Sequence, residues 1–184
     1  SSSIAGCSKS APYKLVDGCA SSSSSANFIA PILLDPNDPN RLLAGGANLW
    51  RTSDARTPNT ATTGPSWAII KPSIGSNVSA IAIARGDADR IWIGHNNGNV
   101  YVTQNGTSVS PTWTQRDAGG TPLPNRAVAS IAVDPVDLNT AYVSFGGFNS
   151  QNLWVTHDLG ASWTVATGSV GARLPDAPIR SVVV

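Results

Sequence analysis

The stretch Thr156-His157-Asp158-Leu159-Gly160-Ala161-Ser162-Trp163 decides how this chain is read. It follows Leu153-Trp154-Val155-Thr156, a short run of β-branched and aromatic residues, and leads into Trp163-Thr164-Val165, another. Runs of that composition bounded by Gly, Asp and Ser read as two strands joined by a turn. An Asp in such a turn accepts backbone N–H groups from its neighbours, and a Gly supplies the positive φ that a tight reversal needs. Trp163 is expected to pack back over the turn and bury a large apolar area there.

Working outward, the same order occurs twice more upstream. Thr52-Ser53-Asp54 and Gly64-Pro65-Ser66-Trp67 read as one such turn split by an insertion. Thr103-Gln104-Asn105, followed by Thr112-Trp113, has Asn where the others have Asp. Before each turn lie three further apolar runs. The first is Ile32-Leu33-Leu34, Ala80-Ile81-Ala82-Ile83-Ala84 or Ile131-Ala132-Val133. The second is Leu42-Leu43-Ala44, Ile91-Trp92-Ile93 or Ala141-Tyr142-Val143. The third carries Trp50, Tyr101 or Trp154. Acidic turns separate the first two runs: Asp35 to Asn40, Arg85 to Asp89, and Asp134 to Asn139. No segment holds an i, i+3, i+4, i+7 apolar pattern, so helices should be few.

Four short antiparallel strands in a unit of about 50 residues make the blade of a β-propeller. The expected fold is all-β: a partial propeller of about three four-stranded blades, near 28–71, 77–117 and 127–167, plus the first strand of a fourth from about 178. Residues 1–27 form a separate Ser-rich segment. Ala- and Ser-rich first strands suit the crowded centre of such a ring, whereas Trp50, Trp92, Tyr101 and Trp154 suit the wider spaces between blades. Three blades cannot close a ring, so the remaining blades are expected from the same longer chain or another copy.

Residues 156–163 match the pattern S/T-x-D-x-G-x-S/T-W at every specified position, and in this they resemble the Asp-box (BNR) repeat propellers, the sortilin-like and sialidase-like superfamily. The resemblance covers residues 28–184 and looks like that of a secreted bacterial member. It implies a structural role for Asp54, Trp67, Asn105, Trp113, Asp158, Gly160 and Trp163, with the boxes on the outer rim and any ligand at the opposite end of the blades.

Composition narrows the partners. Charged residues make up only 12% and the formal net charge is +1, which argues against nucleic-acid or anionic-membrane binding. No run approaches the length of apolar sequence needed for membrane insertion. The surface polarity comes from Ser, Thr, Asn and Gln, which suits an extracellular or periplasmic protein. The chain holds no Met and begins at Ser1, which reads as processed or partial. Cys7 and Cys19 are the sole cysteines. Their closeness favours a local disulfide, with two free thiols as the alternative. No cofactor and no metal site is expected: the Asp35/Asp38 and Asp134/Asp137 pairs offer too few oxygens for calcium and read as turn chemistry.

Strand alternation places the loops 94–99, 115–127, 145–152 and 167–178 at the end of the blades opposite the boxes. From them His95, Asn97, Arg116, Arg126, Phe148 and Arg173 are the candidate ligand-binding residues for a protein or glycan. No catalytic residue is nominated. Arg173-Leu174-Pro175 only faintly echoes the Arg-Ile-Pro motif of sialidases, and a two-carboxylate glycosidase would have to use Asp117 or Asp176, since the chain has no Glu. Three readings follow: a secreted recognition or scaffolding propeller, an Asp-box glycoside hydrolase with catalytic residues partly outside this chain, and a structural component of an extracellular assembly. Asn77-Val78-Ser79 and Asn105-Gly106-Thr107 are glycan acceptors if the source glycosylates them.

Overall fold

A computed structural model describes residues 26–60, 62–117 and 123–184. Cys7, Cys19 and most of the Ser-rich segment lie outside the described residues.

The described chain is all-β. The first sheet comprises β1 (Ile32–Leu34), β2 (Leu42–Gly45), β3 (Leu49–Thr52) and β4 (Ala68–Lys71). The second comprises β5 (Val78–Ala84), β6 (Asp87–His95), β7 (Val100–Thr103) and β8 (Thr114–Gln115), and the third β9 (Val128–Val133), β10 (Ala141–Phe145), β11 (Leu153–Thr156) and β12 (Thr164–Val165). Each is an antiparallel meander in sequence order. A two-stranded hairpin, β13 (Gly168–Ser169) with β14 (Ala172–Arg173), follows. These three sheets are blades of a β-propeller, and β5 lies against β9 where two of them converge.

Period-2 alternation gives each blade two faces, and both faces of the middle blade are buried. Ile81, Ile83, Ile91 and Ile93 face the first blade and join Leu43, Leu49, Ile70 and Val78 in one core cluster. Ala80, Ala82, Trp92, Val100 and Val102 face the third blade and join Val128, Ile131, Val143, Phe145, Trp154 and Trp163 in another. The second and third blades approach tightly at Gly94, where a Cβ would lie 2.3 Å from Val128 Cγ1.

Two expectations are corrected. Arg85 to Asp89 is not a turn as a whole: Arg85-Gly86 alone makes it, with Gly86 at φ 84°, and β6 already begins at Asp87. Residues 178–184 form no strand. A lone strand has no ladder to join, and the segment instead lies along the third blade, with Ile179 N bonded to Phe145 O and Val182 N to Ser130 Oγ.

Candidate functional site

The two ends of the blades differ in chemistry. At the end holding the β3–β4 type turns, one device recurs three times. Asp54 Oδ1 accepts Thr52 Oγ1 at 2.6 Å and Ser66 N at 2.8 Å. Asn105 Oδ1 accepts Thr103 Oγ1 at 2.8 Å and Thr112 N at 2.9 Å. Asp158 Oδ1 accepts Thr156 Oγ1 and Ser162 N, both at 2.8 Å, and its Oδ2 accepts Ser162 Oγ at 2.6 Å. The Ser162 hydroxyl, then its backbone N–H and the Thr156 hydroxyl, hold the Asp158 carboxyl down at about 2. The chain length between the two halves varies, yet the oxygen finds the same partners. Gly160 sits at φ 82°, and a Cβ there would lie 2.8 Å from Arg116 Cγ. The glycine serves both the turn and the approach of the neighbouring blade.

Trp113 and Trp163 do not fold back over their own turns. Trp113 donates its indole N–H to Ile70 O at 2.9 Å, and Trp163 donates to Arg116 O at 2.9 Å, each in the preceding blade. Trp163 also meets Trp92 edge to face, with centroids 6.1 Å apart. The ring prefers the deep seam between two sheets because far more apolar surface is available there than on a four-residue turn. A shallow hollow of about 330 Å³ at this end is lined by Arg51, Ser53, Asp54, Ser66 and Ala68. Its charged groups are already engaged: Arg51 donates to the carbonyls of Gly106 and Ser108, and Asp54 holds its turn.

At the opposite end, the structure relocates two of the six candidate ligand residues. His95 closes β6 and is only 1% exposed. Its Nδ1 lies 2.9 Å from Ser76 O. A carbonyl can only accept, so Nδ1 carries the proton and Nε2 is left as a buried acceptor with no partner. Tyr101 packs edge to face on the imidazole at 5.6 Å, and Lys71 Nζ stands 3.9 Å above the Tyr101 ring. Burial pulls the Lys71 ammonium below its ordinary value. Burial, reinforced by the Lys71 charge and opposed by the Ser76 carbonyl and Asp117, lowers His95 to about 4. Asp117 is committed locally: its carboxylate accepts Val100 N at 2.8 Å and Gln115 Nε2 at 3.3 Å. Arg116 turns toward Gly160 in the seam and away from the loops.

The other four candidates stay at the surface. Asn97 is exposed, its N bonded to Ser76 Oγ. Arg173 pairs with Asp176 at 3.2 Å inside its own segment. Arg126 is bonded to the loop that carries Phe148. Arg126 donates to Asn152 Oδ1 at 2.8 Å, while buried Asn152 donates to Gly147 O at 2.9 Å and Ala177 O at 2.8 Å. Trp154 donates to Gln151 O at 2.8 Å, and Gln151 is held at φ 61°, a conformation that non-glycine residues rarely adopt. The 146–152 loop is thus tied down at both sides while presenting Phe148, 83% exposed, to solvent.

Sequence reading missed the anchor Asn152 and the Lys71–Tyr101–His95 stack. Tyr101 was the available signal, since it replaces the Trp found at the same strand position in the other blades. Among the described residues no three His, Cys, Asp or Glu side chains gather to hold a metal ion, and no helix is long and apolar enough to cross a membrane. The Asn105 carboxamide oxygen is engaged in its turn by Thr103 and Thr112.

No family model matches the chain, and no curated protein does. Solved structures similar to it include three GH74 enzymes. An ancestral GH74 enzyme aligns with TM-score 0.53 and 19% identity, over 78% of this chain and 19% of that one. The GH74 xyloglucanase from Xanthomonas campestris aligns with TM-score 0.50 and 14% identity, over 75% and 23%. The Niastella koreensis GH74 enzyme aligns with TM-score 0.51 and 18% identity, over 76% and 18%. The chain therefore spans less than a quarter of the length of these structures. At such identities the likeness establishes the fold, a β-propeller, which is the architecture of these glycoside hydrolases.

Proposed function

We propose that this chain is part of a secreted recognition propeller that binds neutral glycan through the loop end of its blades. The observation that carries the reading is the 146–152 loop. Its backbone is fixed by Asn152, Arg126 and Trp154, yet it holds an aromatic ring out in water. A preorganised loop with an exposed ring among amides and a guanidinium offers an apolar platform with hydrogen-bond donors around it, at low entropic cost on binding. The low charge of the chain and the GH74 likeness support the same ligand class. The three Thr-x-Asp/Asn turns serve as rim-side Asp boxes in this reading, with residues 1–27 as a separate segment and 28–184 as the propeller portion.

The GH74 likeness also favours a second reading, a glycoside hydrolase whose catalytic carboxylates lie partly outside this chain. Within the described residues Asp117 and Asp176 are occupied in local contacts, which supports binding over catalysis for this portion. Affinity electrophoresis in gels containing xyloglucan or another neutral β-glucan tests the proposal. The chain should be retarded and Phe148→Ala should lose most of the retardation. Unretarded migration in every neutral polysaccharide would sink the glycan reading.

A further inference from the structure

We propose that the face of the first blade turned away from the second docks a further four-stranded blade of the same repeat type, and that Trp67 is its anchor, donating its indole N–H to a backbone carbonyl on that blade's outer strand. The inference stands apart from the glycan reading.

The two seams already present set a rule. Trp113 of the second blade bonds Ile70 O of the first, and Trp163 of the third bonds Arg116 O of the second. Ile70 and Arg116 are equivalent positions: Ile69 pairs with Trp50 and Gln115 with Tyr101, and the acceptor is the next residue in each case. Each acceptor also lies three residues past its own blade's tryptophan. The contact has a direction, with each tryptophan reaching back into the blade before it. Trp67 occupies the same place in the first blade, is only partly buried, and has no hydrogen-bond partner among the described residues.

The face around Trp67 agrees. Register places Ile32, Ala44, Trp50 and Ile69 in one row across the first blade, with Leu34 on the same side. Ile32 is 57% exposed, Leu34 53% and Ile69 45%. At the places corresponding to Leu34 and Ile32, Ile83 of the second blade and Ile131 of the third are buried by the blade that precedes them. The outer-strand position of Ile69 is open in all three blades, as Gln115 and Val165 show, but the first-strand aliphatic positions are buried twice in this molecule and bare once, which calls for the same kind of cover.

The third blade of another copy is the competing occupant. Its outer face is not bare, however: residues 177–182 cross it, with Asn152 Nδ2 bonded to Ala177 O and Val182 N to Ser130 Oγ. The similar solved structures are also several times longer than this chain. Both points place the docking blade elsewhere in the same polypeptide.

The test compares the 184-residue chain with a longer chain in which residues 77–127 are repeated ahead of Phe28. In the shorter chain, Trp67→Phe and Ile32→Asp should each shift Tm by less than about 2 °C, as surface substitutions do. Trp113→Phe and Ile131→Asp should each lower it by more. The emission lost in Trp67→Phe should be open to iodide quenching. In the longer chain, Trp67→Phe and Ile32→Asp should become as costly as their counterparts, and Trp67 should be shielded. Three results would overturn the proposal. One is a monomeric 184-residue chain in which Trp67 is already shielded or Ile32→Asp is already costly. Another is a dimer by sedimentation with Trp67 shielded, which would make a second copy the occupant. The third is a folded longer chain indifferent to both substitutions.

Discussion

The seam between the second and third blades and the seam between the first and second share a backbone plan but differ in what fills it. The former is aromatic: Trp92, Trp163, Phe145 and Trp154 interlock there with small Ala residues opposite. The latter is aliphatic, built from Leu and Ile, and carries a buried cation at each end. Lys71 stands over Tyr101 at the loop end, and Arg51 reaches neutral carbonyls at the rim. A buried cation without a carboxylate keeps part of its desolvation cost. The meander and the glycine contacts fix the spacing of blades, whereas side-chain chemistry sets how each seam responds to cavities, charge and pH.

The largest expected effect breaks the aromatic seam. Trp92→Ala removes a fully buried ring from its centre and should cost about 3–5 kcal/mol, read from urea or thermal unfolding. Next comes acid acting on the aliphatic seam. His95 titrates near 4 when folded and near its ordinary 6.5 when unfolded. The unfolded chain therefore binds the proton more readily between those values, and stability falls as pH drops from about 6.5 to about 4. The loss is on the order of 3 kcal/mol at most. His95→Gln should flatten that part of the profile in urea titrations at stepped pH. An unchanged slope would remove His95 from the account.

Lys71→Met separates the stem from the charge. It should leave stability unchanged or raise it by about 1 kcal/mol, and it should make the seam more acid-resistant, because the Lys71 charge helps lower the His95 pKa. A clear loss of stability would show that the contact with Tyr101 outweighs desolvation. The smallest effect belongs to the rim. Asn105 makes with a neutral oxygen the bonds that Asp158 makes with a charged one, so Asp158→Asn should cost no more than about 0.5 kcal/mol, whereas Asp158→Ala should cost about 1 kcal/mol or more by stranding Ser162 N and Thr156 Oγ1. Thermal unfolding of the pair decides between geometry and charge.

Much of the blade was legible in the chain. Ile131-Ala132-Val133 and Ala141-Tyr142-Val143 are strands as their composition indicates, and Asp134 and Asp137 do organise the turn between them through bonds to Val136 N and Asn139 N. Such bonds are local, so nearby residues suffice to infer them. The reading failed where local composition points the wrong way. Asp87 and Asp89 look like turn residues but lie in β6, because Arg85-Gly86 completes the reversal, with Gly86 at positive φ. His95 looks like a loop residue between Gly94 and Asn96, yet β6 runs through it and turns its ring into the seam.

The amino-acid sequence alone determines the recurring unit: four strands, their turns, and an oxygen-bearing side chain with a tryptophan near the last reversal. Alternation at period 2 also dictates that each strand has two faces. Only the tertiary structure decides what meets those faces. A tryptophan's burial depends on area supplied by a neighbouring sheet, and a histidine's ionisation first on the burial that sheet helps impose and then on the cation it brings nearby. Both are contacts between residues far apart along the chain, which no short stretch of sequence contains.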